Sequence, residues 1–437
     1  MLTDPIAALA TPPGRSALAV VRLAGRGAFE IAARVVKNFR AEPRVARLAT
    51  FVDAIGHPID RGIYLVFPAP HSFSGDDTVE FTCHGGLSAP VQLLAALHAA
   101  GARPAAPGEF TRRAVLNGCM DLLQAEAVGD LIDATAPAQG RAALAQLEGN
   151  LSRRIQQLRE QLLEIETLLS YDIDFPGEDD GPVAPERIGD ALANAAAQVE
   201  RLLASAPAGE RLREGALVVI AGRPNAGKSS LFNALLGSDR ALVTEIAGTT
   251  RDAIEAHLSF LDWPVRLVDT AGLRATDDRI EAMGVEVSRR WLDAADLVLL
   301  CVESGTALSA EETALVEGYP ALLVRTKSDL VPVTGGVSAV TGAGLDRMRR
   351  DAAERLFGGR MALADLEPGL SRERHRVALV SAETELAAAK PHLGRDGDAT
   401  LASHHVRRAI LALDELIGAV DIEQVLDRVF AGFCVGK

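Results

Sequence analysis

Residues 216–237 read ALVVIAGRPNAGKSSLFNALLG. A strand-like apolar run, a loop bounded by glycines and a helix-like run follow one another without a break. Gly222, Gly227, Lys228 and Ser229 fit the spacing GxxxxGK[ST] of a phosphate-binding loop. Its backbone N–H groups can wrap phosphates, Lys228 can reach the outer phosphates, and the Ser229 hydroxyl can bind Mg2+. An ordinary glycine turn rarely sits in this strand–loop–helix setting.

Downstream, Asp269-Thr270-Ala271-Gly272 ends the apolar run VRLVD. There Asp269 can hold Mg2+ through water, and the Gly272 N–H can sense the terminal phosphate. Between the two motifs lies Gly248-Thr249-Thr250-Arg251-Asp252, where a threonine can close on the metal and order a switch loop. Thr326-Lys327-Ser328-Asp329 follows the run ALLVR. A carboxylate at Asp329 accepts two hydrogen bonds from the N1 and N2 edge of guanine, which adenine cannot supply. The Lys327 stem can lie over the base. The usual pattern is NKxD, so Thr326 replaces an asparagine. Ser338-Ala339-Val340 suits the last base-contacting loop. GTP is expected over ATP, and Asp329 speaks against a kinase or ATPase. Leu273 stands where many GTPases carry a water-orienting glutamine. With no evident arginine finger, Asn225 in the phosphate loop is the candidate to hold a monovalent cation beside the phosphates.

Around this segment, 216–358 alternates strands and helices, the signature of a doubly wound, mostly parallel α/β domain. It is flanked by helical sequence. Leu144, Leu147, Leu151, Ile155, Leu158, Leu162, Ile165 and Leu169 recur every three or four residues. They predict one amphipathic helix over about 140–170, roughly 45 Å long, ended by Asp174-Phe175-Pro176-Gly177. Further helices are predicted at 186–205, 373–390 and 402–420. The C-terminal pieces are too short for a core of their own and should pack on the earlier helices. The expected fold is therefore α/β and α+β multidomain. It has an N-terminal α+β domain at 1–118, a helical domain split into 119–211 and 361–437, and a G domain at 212–360 inserted between the halves. In the first part ALAVVRLAG (17–25), GIYLVF (62–67) and DTVEFTCHGG (77–86) predict strands, and VQLLAALHAAGA (91–102) predicts a helix.

Composition narrows the class. The chain has 437 residues, 48% of them hydrophobic and 24% charged, which excludes intrinsic disorder as the default. Only 4% are aromatic, so the cores are expected to be built mainly from Leu, Val, Ile and Ala. A net charge of −14 argues against tight, autonomous RNA binding. Cys83, Cys119, Cys301 and Cys434 are far apart, with no zinc spacing, and fit a reducing compartment. Neither a signal peptide nor a membrane span is predicted, so a cytoplasmic location is expected. The ending CVGK lacks the aliphatic and terminal residues of a prenylation signal.

Several stretches together resemble the MnmE (TrmE) GTPase family. They are GRPNAGKSSLFNALLG, VTEIAGTTRD, VDTAGLR and the terminal FCVGK, with ATPPGRSALAVVRLAG, GDDTVEFTCHGG and PGEFTRRAVLNG followed by DLLQAEAV near the N-terminus. The resemblance spans all three proposed domains. It implies a K+-dependent, GTP-hydrolysing homodimer whose N-terminal domain binds a formyl- or methylene-tetrahydrofolate. It implies a partner, the FAD-dependent MnmG (GidA) protein. Together the two add an aminomethyl or carboxymethylaminomethyl group to the wobble uridine of certain tRNAs.

By the same resemblance, the nucleotide contacts are Asn225, Ala226, Gly227, Lys228, Ser229 and Ser230; Thr244, Glu245, Ile246, Ala247, Gly248, Thr249 and Thr250; Asp269 to Gly272; Thr326 to Asp329; and Ser338 to Val340. Ser229 and Thr250 would hold Mg2+. Asn225, Thr244, Ile246 and Thr249 would hold K+. Glu281 would orient the attacking water, a role its sequence setting alone would not suggest. Arg22, Glu80, Cys119 and Lys437 match folate positions, but the family usually has lysine at Cys119. Arg112 and Arg113 are the nearest candidates to replace that charge. Cys434 has two readings, a thiol of the modification chemistry and a small apolar residue packed under the terminus, and the second is favoured because nothing in the sequence gives it an electropositive, accessible setting. The competing class is a GTP-dependent ribosome-assembly factor without covalent RNA chemistry; it has no reason to carry the folate-like segments or the FCVGK end.

Overall fold

The computed structural model describes residues 3–174, 185–238, 242–243, 254–269, 289–358, 369–393, 397–418, 433 and 436. The chain divides into two compact units, 1–129 with 413–437, and 130–412.

The first unit is built on six strands: β1 (Ile6–Leu9), β2 (Leu18–Ala24), β3 (Arg47–Val52), β4 (Pro58–Phe67), β5 (Thr78–His84) and β6 (Arg103–Pro104), in the order β3-β4-β5-β2-β1-β6. All pairs are antiparallel except β1 with β6. Alternation decides the faces. Val21 and Leu23 of β2, and Val79 and Phe81 of β5, enter one core with Phe51, Tyr64, Leu93 and Leu97. Helices α1 (Ala28–Val35) and α2 (Ala89–Ala99) pack on this face. Arg22 and Glu80, one residue out of phase, therefore turn to the other face, beside α3 (Glu109–Leu116). The terminal segment returns to this unit: Phe433 packs on Val115, Leu122 and Ala125, and Gly436 lies against the Leu9 carbonyl of β1.

The sequence predicts β2, β4, β5 and α2, and misses β1, β3, β6, α1 and α3. IAAL is too short to show alternation, and RLATFV is only partly buried.

After α4 (Leu122–Asp133), the predicted helix over 140–170 is two helices, α5 (Pro137–Leu147) and α6 (Asn150–Asp174). Gly149, at φ 83, takes the left-handed conformation that ends a helix. Leu144 accordingly falls off the stripe and is exposed, while Leu151, Ile155, Leu158, Leu162, Ile165 and Leu169 are buried. Each of these six contributes about 1.5–3 kcal/mol of burial. Helix α7 (Pro185–Glu214) runs past its predicted end and through Pro207. It packs on α6 and on a helix after the sheet, Glu373–Ala389. Gly209 of α7 lies against the Leu370 carbonyl, and Arg213 and Arg372 both reach Asp130 Oδ1, at 3.1 and 2.6 Å. The segments that lead into and out of the G domain are thus joined to one another. The α/β domain is an insertion in a helical one.

Its sheet runs β12-β11-β7-β10-β9-β8, with β7 (Ala216–Ala221), β8 (Leu242–Val243), β9 (Ile254–Phe260), β10 (Trp263–Asp269), β11 (Leu297–Glu303) and β12 (Ala321–Thr326). The pairs β10–β7, β7–β11 and β11–β12 are parallel, and β9 and β8 form an antiparallel edge. Every residue of β7 is buried, as expected of a central strand covered on both faces. Among the described residues no helix is long and apolar enough to cross a membrane.

Candidate functional site: a phosphate loop joined to a base-reading loop

The phosphate loop leaves β7 at Gly222 and enters helix α8 (Lys228–Ser238). Only glycine fits the first position: at φ 140, a Cβ there would lie 2.3 Å from the Cys301 carbonyl oxygen of β11. Asn225 takes the left-handed conformation at φ 62, which asparagine tolerates better than most residues. Lys228 Nζ donates to the carbonyls of Gly222 (2.9 Å) and Arg223 (2.8 Å), lying across the loop. Ser229 and Ser230 are exposed on the first turn of α8. Arg223 is tied back to Glu312, whose carboxylate 3.3 Å away is buried at the N-terminal cap of the helix Ala310–Gly318. Cys301, directly beneath Gly222, is a packing residue. Burial pushes its thiol up to about 12, far from a reactive thiolate.

The base-reading loop follows β12. Thr326 is buried, and its hydroxyl donates to the Ala226 carbonyl of the phosphate loop at 2.7 Å, with the Val302 carbonyl at 3.3 Å. The hydroxyl of the residue that replaces asparagine is thus committed to joining the two loops. Lys327 sits at φ 55 with Nζ 3.0 Å from Glu303 Oε2. The Ser328 N–H donates to the Val337 carbonyl (3.2 Å), and the Val337 N–H to the Arg325 carbonyl (2.7 Å). This pairing brings Ser338, Ala339 and Val340 beside Thr326, Lys327, Ser328 and Asp329. Ser338 is buried and closes its own turn by accepting from the Gly342 N–H at 3.0 Å, whereas Asp329 and Val340 face solvent.

Thr326→Val removes the donor and leaves the Ala226 carbonyl unsatisfied. GTP and GDP affinity should both fall by about 1–3 kcal/mol, and Thr326→Ser should stay near wild type. Titration with a fluorescent nucleotide reads this; full affinity in the valine variant would contradict it.

Asp269 ends β10, buried, in register with Ile220 one strand over and so beside the start of the phosphate loop. Its carboxylate and the Ser229 hydroxyl are hard oxygen donors of the kind Mg2+ takes, so the residues present fit that ion. Asn225 offers an amide oxygen suited to K+. Thr244, Glu245, Ile246, Ala247, Gly248, Thr249, Thr250, Thr270, Ala271, Gly272 and Glu281 lie outside the described residues, as do Lys437 and Cys434.

In the first unit the structure brings two of the folate candidates together. Arg22 and Glu80 are cross-strand partners, with nitrogen and carboxylate 2.7 Å apart. The Arg22 guanidinium lies 5.2 Å from the Phe73 ring centre and 5.5 Å from that of Phe110. Cys119 lies at the surface, and partial desolvation of its thiol, with the nearby Asp76 carboxylate, raises its pKa, so it brings no charge. Arg113 does not replace that charge. It is buried within an ion-pair network to Glu109 (2.9 Å), Asp4 (3.2 Å) and Asp76 (3.4 Å). Sequence reasoning missed Glu303, Glu312, Phe73 and Phe110. Phe110 lies within the quoted segment PGEFTRRA, Glu303 ends the apolar run DLVLLCVE, and Glu312 completes Ser309-x-x-Glu312, the pattern of a helix-capping box; Phe73 carries no local signal.

A phosphate loop on a buried parallel strand, an acidic strand end beside it and a TKxD loop bonded to it define a P-loop GTPase. Residues 122–434 match the MnmE helical domain, and residues 5–119 match the GTP-binding protein TrmE N-terminus. The tRNA modification GTPase MnmE of Moorella thermoacetica is 41% identical and covers 100% of both chains. That of Laribacter hongkongensis is 41% identical, over 100% of this chain and 99% of its own. That of Thermus thermophilus is 44% identical over 100% of both. The chain belongs to the MnmE family of tRNA modification GTPases.

Proposed function

We propose that the chain binds and hydrolyses GTP in order to drive modification of the wobble uridine of certain tRNAs. In this reading it works in the cytoplasm as a homodimer with an FAD-dependent MnmG (GidA)-like partner. A formyl- or methylene-tetrahydrofolate supplies the one-carbon unit. The observation that carries the reading is full-length likeness at about 40% identity to proteins named as tRNA modification GTPases, across the N-terminal, helical and G parts alike.

The Asp329 carboxylate selects guanine. The phosphate-loop N–H groups and Lys228 hold the phosphates. Ser229 and Thr250 would hold Mg2+, which supplies charge neutralisation when bound, and Asp269 would orient it through water. Asn225, Thr244, Ile246 and Thr249 would hold K+. Because Leu273 cannot orient water, Glu281 is assigned that role. In the N-terminal domain Arg22 and Glu80 would contact the folate, with Lys437 of the terminal segment; Gly436 beside β1 supports that placement. A neutral Cys119 would give the folate tail one charged contact fewer than the family's usual lysine.

The reading is tested on tRNA from cells lacking the gene. Mass analysis of nucleosides should show wobble uridines without the aminomethyl-type group. Unchanged wobble uridines would overturn it in favour of an assembly factor.

A further inference from the structure

The β9–β10 hairpin turns at Leu261 (φ 47) and Asp262 (φ 73), both in the left-handed region. A two-residue turn of this kind is met with least strain by Asn-Gly. Leu261 is 43% exposed and the Asp262 side chain 53%, so burial does not explain their presence. Asp262 supplies what glycine cannot. Its carbonyl accepts from the Ala138 N–H at 3.0 Å, as any residue's would, but its carboxylate also lies 3.6 Å from Arg141. Both partners are on α5, outside the sheet.

The next residue of α5, Gln139, donates through Nε2 to the Arg213 carbonyl at 2.8 Å. That carbonyl lies at the end of α7, where the chain turns into β7. Ala138 is fully buried in the same cluster as Ala216 of β7 and Val265 of β10. One helical turn therefore grips the start of both strands that carry the nucleotide site. β7 ends in the phosphate loop and β10 in Asp269, and the two are paired from Val265↔Ala216 to Asp269↔Ile220. A paired strand is stiff along its length, so the hold on the start of β10 sets where the Asp269 carboxylate falls against the loop.

We propose that Asp262, with Arg141 and the first turn of α5, is a positioning site for Asp269, through which the helical domain sets the Mg2+ end of the nucleotide site. This rests on the GTPase reading above. The test uses the full chain and the release rate of a fluorescent GDP analogue, in Mg2+ and in EDTA. Arg141→Ala and Asp262→Ala should speed release in Mg2+ by about threefold, as expected for a partly exposed ion pair, and leave the EDTA rate unchanged. The exchange Arg141→Asp with Asp262→Arg should restore the wild-type rate. Arg141→Ala leaves the turn itself intact, which covers a folding defect in Asp262→Ala. Unchanged release in Mg2+, or equal acceleration in both conditions, would overturn the proposal. A wild-type chain that does not bind the analogue would instead remove the GTPase reading.

Discussion

Asp329→Asn is expected to weaken GTP binding by about 1.5–3 kcal/mol, roughly ten- to a hundredfold, because a charged acceptor is lost from the guanine edge. The expectation is specific to that edge. The Thr326–Ala226 bond and the Ser328–Val337 pairing hold the loop without the Asp329 side chain, so the variant should keep its fold. Xanthine carries a carbonyl where guanine carries the N2 amine. The new amide can donate to it, so xanthosine triphosphate should be bound better by the variant than by wild type. Isothermal titration with both nucleotides reads the exchange. Unaltered GTP affinity would mean that another loop reads the base.

The second large effect concerns turnover. Glu281→Ala should lower it by about 10²-fold or more while leaving GTP affinity nearly intact, since the residue is assigned to the attacking water. Leu273 offers no substitute. Asn225→Ala should remove a response to K+, and wild-type turnover should be faster in KCl than in NaCl at equal ionic strength. It should also rise with protein concentration if a second G domain completes the site. Steady-state phosphate release at two protein concentrations measures all of these. Equal rates in the two salts would remove the K+ assignment, and a Glu281→Ala variant with wild-type turnover would remove the glutamate.

The G domain was legible because its strands are continuous apolar runs and its phosphate loop needs fixed residues at fixed spacing. Gly222 is required by a carbonyl 2.3 Å from where its side chain would begin, and that constraint is written in one letter. The break at Gly149 was hidden because leucine spacing continues across it. Nor does local sequence pattern report contacts made by register or over long separation. Arg22 and Glu80 meet through strand pairing, and Thr326 meets Ala226 across 100 residues. Arg113 shows the limit for charged residues: its type suggests a surface ligand, yet three carboxylates hold it inside. The antiparallel β9 shows a different pattern: IEAHLSF alternates apolar and polar residues, with Ala256, Leu258 and Phe260 buried, a signal that a search for continuous apolar runs passes over.

In the proposed function, guanine-specific hydrolysis by this chain drives wobble-uridine modification. The most direct measurement is the nucleoside content of tRNA from a strain lacking the gene, complemented with wild-type or Asp329→Asn chain at matched expression. The wild-type gene should restore the aminomethyl-type wobble nucleosides in full, and the variant only weakly. Full modification in the uncomplemented strain would contradict the claim. So would equal restoration by both chains once the variant's loss of GTP binding had been measured.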